Sequence, residues 1–572
     1  MQGNQPNFMK NIAIISEKYQ EIMLKIYDGH IPYLNEFARY GFGEIASSLM
    51  FKIFANPTTL ANIQFNYCSD QLDLLANISK EQNIKDRRFL GDIWSDNLFY
   101  KYIKQSYFLT VDHMERIASD LPYQNNREKI KTKFLIKQLA YAISPANFLL
   151  TNPEIMEEFI KTSGDSLIRG LDNLRNDMEK STNIFNISTT SGKFKLGQDI
   201  ATTKGEVVFR NELLELIHYY PKTEQQYAIP LLIIPPWINK YYILDLSEHN
   251  SYVNWCTEQG YSVFIISWVN PQGKALDSTF GDYLTKGALE AVNFIQDYTK
   301  QKSISVVGYC LGGTLLTMLL AYLAAKGESE KIVSATMLTT LIDFSDCGEF
   351  SVFIDEKSLD ALDEHLDDQG YLDGKEMLMS FSLLRANDMI WHFYINNYLL
   401  GREPFPFDIL HWNSDSTRMP GKMHSFYLRN MYLENKLKKP GGIIIDGTPL
   451  DVGKITQDCF FFATFEDHIV PWKGCYKGLK LLNCNKKFVL GGSGHVAGVI
   501  NHPAKSKYYY CENDDINLSA DKWMSASHRK NGSWWESWHR WQSPYCGKLV
   551  KQYVPDSKKS LSSAPGSYVK IK

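Results

Sequence analysis

Three residues far apart in the chain, Cys310, Asp467 and His495, have the types and local settings of a nucleophile, an orienting acid and a base. Cys310 is at the centre of Val306-Val307-Gly308-Tyr309-Cys310-Leu311-Gly312-Gly313-Thr314, a G-x-C-x-G turn between an apolar strand-like run and an apolar helix-like run. A sharp strand-to-helix bend of this kind lifts the middle side chain out of the fold, where it can attack a carbonyl. Glycines flank it because the bend leaves no room for Cβ atoms or because the backbone must take a positive φ. A thiolate attacking a thioester exchanges one thioester for another with little change in energy, so an acyl group can be passed on rather than lost. The same residues also fit a buried structural cysteine beside a glycine turn, since free cysteine is commonly buried.

Downstream, the aromatic run Cys459 to Phe465 has strand character and ends in Glu466-Asp467-His468-Ile469-Val470-Pro471-Trp472. A second run, Lys487 to Leu490, leads into Gly491-Gly492-Ser493-Gly494-His495-Val496-Ala497-Gly498. Each candidate therefore follows a strand end, where ligands reach an open α/β sheet. The order nucleophile, acid, histidine is that of the α/β-hydrolase fold, with acid and histidine on loops after late strands. It assigns Asp467 as orienting acid and His495 as base; an ordinary hydrogen-bonded loop histidine is the alternative for His495. His468 adjoins the acid in sequence and is read as a structural hydrogen-bonder around the site. Tyr309 flanks the nucleophile and is grouped with it as a supporting or substrate-binding residue.

The run Ile229-Pro230-Leu231-Leu232-Ile233-Ile234-Pro235-Pro236-Trp237-Ile238 reads as a buried strand stopped by two prolines, which cannot continue pairing. In hydrolases the loop after this strand gives one backbone N–H to the oxyanion hole, and the residue after the nucleophile gives the other. Here the donors would be the N–H of Leu311 and that of Trp237 or Ile238. Losing one such donor typically costs roughly 10²–10³ in rate. A simple strand stop with no catalytic donor is the competing reading.

With these motifs in place, the chain resembles the polyhydroxyalkanoate synthases, bacterial enzymes that polymerise 3-hydroxyacyl-CoA thioesters into polyester granules. The resemblance rests on the three motifs around Cys310, Asp467 and His495 and on Pro235 to Leu246. It is extended by Ser144 to Glu154, Gly532-Ser533-Trp534-Trp535 and the ending Ala564-Pro565-Gly566-Ser567-Tyr568-Val569-Lys570. It runs from about Asp86 to the last residue, and it looks most like the class I type, which acts without a second subunit type and prefers short-chain monomers. Class II members are similar in layout. The resemblance implies an α/β-hydrolase fold with a mainly parallel sheet and a helical cap insertion, preceded by a mostly helical N-terminal domain. It also implies a homodimer at the surface of polyester granules in the cytoplasm, with no cofactor beyond the CoA that enters in the substrate and leaves as product.

Composition is compatible with that reading. Lys plus Arg is 61 against 64 for Asp plus Glu, so no basic excess points to nucleic acid. The nine cysteines form no C-x-x-C pair and no His-Cys cluster at metal-ligand spacing, which argues for a reducing compartment and against a disulfide framework or metal. The start, Met1 to Asn7, lacks the charged and apolar regions of a signal peptide. The most apolar run, about Leu311 to Ala325, is shorter than the roughly 20 residues that cross a bilayer, and reads as the buried helix behind the nucleophile.

Three zones are expected. Residues 1–190 read as a helical N-terminal domain for dimer or granule association, and the Ser/Thr/Gly/Lys-rich stretch Asn183 to Thr203 as a link. Residues 191–572 read as the catalytic domain, in which strand-like runs at Glu206–Phe209, Leu231–Ile234, Ser262–Ile266 and Ser303–Val307 alternate with helical composition. Within it, about 338–440 breaks the sheet rhythm and is expected to form a cap over the nucleophile or a packed helical subdomain. Arg385, with Asn387 and Asp388, is in that insertion; it would meet CoA phosphates or pair with an acid at a subunit contact. Trp534, Trp535, Trp538 and Trp541 fall mostly on one helical face, which suits core packing or contact with the granule.

The expected chemistry has His495 take the Cys310 proton while Asp467 fixes the imidazole tautomer. Cys310 then attacks the thioester of a (R)-3-hydroxyacyl-CoA and CoA leaves. The 3-hydroxyl of one acyl unit, deprotonated by His495 or with a direct role for Asp467, attacks the next thioester. The competing functions are a thioesterase or polyester hydrolase using the same triad, and a granule-coating protein without turnover.

Overall fold

The structure is a computed structural model and describes residues 5–27, 41–55, 57–80, 86–180, 187 and 194–572. It divides into two compact units, Met1–Ser191 with Met379–Pro406, and Gly192–Leu378 with Phe407–Lys572. The first part of the expected link at Asn183 to Thr203, up to residue 193 and apart from Ile187, lies outside the described residues.

The first unit is helical: α1 (Gln5–Tyr27), α2 (Phe42–Phe54), α3 (Pro57–Ala76), α4 (Leu98–Asp120), α5 (Asn126–Ala142), α6 (Pro153–Lys161) and α7 (Asp165–Lys180). Three helix starts are set by asparagine. The side chain of Asn97 accepts from the N–H groups of Phe99 and Tyr100, that of Asn125 from Glu128, and that of Asn152 from Glu154 and Ile155. Each satisfies donors that the first helical turn leaves without partners. The insertion expected at about 338–440 is divided between the units, because 379–406 folds with these helices. The reason is local: the Tyr398 hydroxyl donates to Asp177 at 2.9 Å, Asn173 donates to the Asn397 carbonyl at 3.0 Å, and Gly170 lets the Tyr398 backbone approach α7.

The second unit is built on a sheet of eleven strands among the described residues. In chain order they are β1 (Gly205–Arg210), β2 (Leu214–Tyr219), β3 (Leu231–Ile234), β4 (Val263–Trp268), β5 (Ile304–Tyr309), β6 (Ile332–Leu338), β7 (Asp458–Thr464), β8 (Lys486–Gly491), β9 (Tyr509–Glu512), β10 (His528–Asn531) and β11 (Ser562–Ser563). Their spatial order is β10-β9-β8-β7-β6-β5-β3-β4-β2-β1-β11. The six central strands, from β8 to β4, run parallel, and the strands outside them pair antiparallel. Parallel strands covered on both faces need apolar side chains throughout. Leu231-Leu232-Ile233-Ile234 and Ile304-Ser305-Val306-Val307-Gly308-Tyr309 are buried at every position.

Helix α8 (Leu311–Lys326) follows β5 directly and is buried at every position from Leu311 to Tyr322 and at Leu323. A helix apolar on all sides belongs inside a protein. No described helix is long and apolar enough to cross a membrane. Near the end of the chain, α9 (Trp535–Gln542) explains the tryptophan stripe. Trp534, Trp535 and Trp538 are fully buried against Tyr252, Trp255 and Phe462, while Trp541 is partly covered. The stripe is core.

Candidate active site

At the elbow the backbone of Cys310 departs from ordinary geometry. Cys310 takes φ 54° and ψ −120°, a conformation that side chains rarely adopt. The positive φ therefore falls on the cysteine itself, and the nearby glycines serve close approach. A Cβ on Gly308 would lie 2.5 Å from the Gly313 Cα, one on Gly312 would lie 2.1 Å from the Ile234 carbonyl oxygen, and one on Gly313 would meet the Thr340 hydroxyl. Hydrogen bonds hold the strained residue: its N–H donates to the Leu338 carbonyl at 2.8 Å, and its carbonyl accepts from Gly313 at 2.9 Å and Thr314 at 3.2 Å. Gly312→Ala is expected to cost about 1–3 kcal/mol of stability by forcing backbone apart, with loss of turnover. Thermal unfolding beside a CoA-release assay checks this; an unchanged variant would contradict the close approach.

Asp467 and His495 follow the ends of β7 and β8, which pair in parallel. His495 Nδ1 is 2.6 Å from Asp467 Oδ2, with both side chains buried. The other carboxylate oxygen accepts from the backbone N–H groups of Ile469 at 2.9 Å and Val470 at 2.8 Å, and the Thr464 hydroxyl donates to Oδ2 at 3.3 Å. The acid is thus aimed by the turn that follows it. Cys310 is near enough to the imidazole for its charge to act on it. Burial works against a charged His495, but the negative charges of Asp467 and a Cys310 thiolate outweigh it and push the imidazole up to about 10.

That elevation has a sign for stability. The folded value of about 10 lies above the ordinary 6.5. The contribution of the charged pair is therefore complete below 6.5, declines as pH rises and is lost above 10. In urea titrations, the midpoint advantage of the wild type over His495→Gln is expected to shrink between those two pH values. A difference that does not change with pH would contradict the pairing.

The loop after β3 reaches the elbow, since the Ile234 and Pro235 carbonyls pack on Gly312. Trp237 is buried among Trp268, Phe280 and Tyr283, with ring centroids 5.5, 5.7 and 4.5 Å away. The Trp237 carbonyl accepts from the Thr417 hydroxyl, and the Ile238 carbonyl from the Thr417 N–H at 3.0 Å. Leu311 opens α8, where N–H groups have no acceptor within the helix. Tyr309 stacks its ring on His495 at 5.6 Å and donates to the His495 carbonyl at 3.4 Å. His468 adjoins the acid, with its carbonyl facing Gly348. Arg385 belongs to the first unit, with Asp388 at 3.4 Å.

Several supporting groups carried no recognisable spacing in the sequence. Thr340 donates to the Leu338 carbonyl at 3.0 Å and to the Cys310 carbonyl at 3.4 Å. The indole N–H of Trp534 donates to the Gly498 and Val499 carbonyls at 3.1 and 3.2 Å, and that of Trp535 to Val499 at 2.9 Å. The tryptophans thus anchor the far side of the histidine loop. The paired aromatic residues Trp534-Trp535 next to Ser533 were visible; their acceptors were not.

This geometry agrees with what the whole sequence matches. A family model for the N-terminus of poly-beta-hydroxybutyrate polymerase (PhaC) matches residues 85–256, and one for the alpha/beta hydrolase fold matches residues 236–501. The chain is 40% identical over 488 residues to the poly(3-hydroxyalkanoate) polymerase subunit PhaC of Rhizobium etli, covering 85% of this chain and 76% of that one. It is 41% identical over 491 residues to the poly(3-hydroxyalkanoate) polymerase of Methylorubrum extorquens, covering 85% and 81%. With the corresponding subunit of Cupriavidus necator it shares 39% over 532 residues, covering 90% and 89%. The chain belongs to the family of poly(3-hydroxyalkanoate) polymerases, acyltransferases built here on the α/β-hydrolase fold.

Proposed function

We propose that the chain polymerises (R)-3-hydroxyacyl-CoA thioesters, with short-chain 3-hydroxybutyryl-CoA as monomer, through an acyl-enzyme on Cys310. The observation that carries this reading is a strained cysteine elbow beside an imidazole that is itself held by a buried carboxylate. His495 takes the Cys310 proton, and the thiolate adds to the thioester carbonyl. The oxyanion is received by the N–H of Leu311 and that of Trp237 or Ile238. As the adduct collapses, the CoA thiolate leaves with the proton from His495. The same histidine then accepts the proton of a 3-hydroxyl, whose oxygen attacks the next thioester; the ester bond forms as the C–S bond breaks and the thiolate leaves with that proton from His495. Asp467 keeps Nδ1 protonated, so that Nε2 faces the sulfur and the incoming hydroxyl.

Water must be kept from the acyl-enzyme, and the segments between about 338 and 440 are assigned that covering role. Residues 1–190 are assigned to association with a second copy and with the cytoplasmic polyester granule, and Arg385 to a CoA phosphate or an acid of a subunit contact. His468 is assigned a supporting role beside the acid.

The test is incubation of purified protein with (R)-3-hydroxybutyryl-CoA, following CoA release and the fate of the acyl group. Insoluble polyester is expected. Free 3-hydroxybutyrate alone would make the protein a hydrolase, and no CoA release with short or long acyl chains would leave a granule-coating role.

A further inference from the structure

Strand β3 ends beside the elbow, with Ile234 opposite Gly308 and the Ile234 and Pro235 carbonyls packed on Gly312. The loop that follows therefore passes close to Cys310, and its peptide groups differ in what fixes them. The Pro235 carbonyl accepts from the Trp268 indole at 2.9 Å, but the next nitrogen is that of Pro236 and carries no hydrogen. Among the described residues nothing donates to the Pro236 carbonyl, so the peptide that bears the Trp237 N–H is not held through its oxygen. The next peptide is held: the Trp237 carbonyl accepts from the Thr417 hydroxyl. The Ile238 carbonyl accepts from the same hydroxyl at 2.9 Å and from the Thr417 N–H at 3.0 Å.

Thr417 is buried and braced on both sides. The Asn239 side chain donates to the Trp412 and Asn413 carbonyls at 3.0 and 3.2 Å, and the Trp412 indole donates to the Lys240 carbonyl at 2.6 Å. Beyond Thr417, the Arg418 N–H donates to the Asn270 side chain at 2.9 Å. The segment from Trp412 to Thr417 thus grips the loop at each residue from Trp237 to Lys240. A trans peptide is planar, and its N–H points opposite to its C=O. Holding the Trp237 carbonyl therefore aims the Ile238 N–H away from Thr417, and that N–H has no acceptor among the described residues.

Given the reading that Cys310 carries the acyl group, we propose that Thr417 is a positioning residue whose hydroxyl, by fixing the Trp237 carbonyl, aims the Ile238 N–H at the thioester oxyanion. This selects Ile238 over Trp237 as the partner of the Leu311 N–H. Thr417 touches no reacting atom. It acts through one peptide plane and keeps the donor oriented before charge develops, which is how preorganised donors gain over water. The hydroxyl is what matters, since a valine of the same shape would leave the Trp237 carbonyl free to turn and the N–H with it. Thr417 belongs to the insertion assigned to cover the acyl-enzyme, so one segment serves both duties.

The experiment compares two reactions of the same sulfur. Acylation by (R)-3-hydroxybutyryl-CoA passes through an oxyanion, whereas alkylation by iodoacetamide displaces iodide at a saturated carbon and does not. Both are timed in the wild type, Thr417→Val, Thr417→Ala and Thr417→Ser, the alkylation by the mass of the Cys310 peptide. Thr417→Val is expected to slow acylation by roughly 10–100-fold, less than the roughly 10²–10³ for loss of a whole donor, because the Thr417 N–H still holds the Ile238 carbonyl. Alkylation should keep its wild-type rate, and Thr417→Ser should restore acylation. Thr417→Ala also lacks the hydroxyl and gives the same comparison should the valine variant not fold. Equal slowing of both reactions, or a Thr417→Ser as slow as Thr417→Val, would show a packing role and remove the proposal. Unchanged acylation in Thr417→Val would remove it too. CoA release that survives Cys310→Ala would instead overturn the nucleophile on which it rests.

Discussion

Cys310→Ala is expected to lower CoA release from (R)-3-hydroxybutyryl-CoA by at least about 10⁴-fold, because loss of a nucleophile removes the covalent path altogether. The fold should survive. Alanine deletes only the sulfur, and the bonds that hold residue 310 are made by its backbone to Leu338, Gly313 and Thr314. The variant should therefore unfold at nearly the wild-type temperature while releasing no CoA. The strained φ works against alanine no more than against cysteine, since both carry a Cβ. Residual turnover within about tenfold of the wild type would mean that another group attacks the thioester.

Asp467→Asn is expected to cost about 10³–10⁴ in the rate of acylation, comparable to the loss when a triad aspartate becomes asparagine elsewhere. The substitution is informative because the two carboxylate oxygens have separate duties. One accepts the Ile469 and Val470 N–H groups, which an asparagine carbonyl can still do, so the turn should hold. The other faces His495 Nδ1 at 2.6 Å, where an amide N–H would now point at the ring. The imidazole would then carry its proton on Nε2 and could not accept one from Cys310. A stopped-flow acylation assay, with unfolding followed in parallel, separates the two effects. A loss below tenfold in a folded variant would contradict the tautomer argument.

Much of this site was legible in the residues. The G-x-C-x-G turn, the two late strand ends and the chain order together singled out Cys310, Asp467 and His495; the structure pairs Asp467 with His495, and the charge of Cys310 acts on that imidazole. The reason is that parallel strands place their loops at one end of the sheet, so chain order becomes spatial proximity. The strand-like runs at Glu206–Phe209, Leu231–Ile234, Ser262–Ile266 and Ser303–Val307 correspond to β1, β3, β4 and β5 to within two residues at either end. Burial on both faces makes such runs continuous and easy to see.

Other features had no local signal. The strand β10, His528–Asn531, is polar and exposed at every residue, and pairs only because β9 offers it an edge. The stacking of Phe280 on Tyr427 joins segments separated by more than a hundred residues, and no spacing rule connects them. The insertion read as one cap contributes residues 379–406 to the helical unit, because Tyr398 and Asn397 find partners on α7 that local periodicity cannot reveal. The role of the glycines changed as well: they permit contact with Ile234 and Thr340, and the positive φ belongs to Cys310.

The central claim is a covalent acyl group on Cys310, and it is tested most directly by trapping it. Protein exposed briefly to (R)-3-hydroxybutyryl-CoA, quenched in acid and digested, should yield the peptide containing Cys310 with added mass of one or more 3-hydroxybutyryl units, lost on treatment with hydroxylamine. The adduct should be absent from Cys310→Ala. Turnover with an unmodified Cys310 peptide, or the same adduct on another residue, would contradict the account.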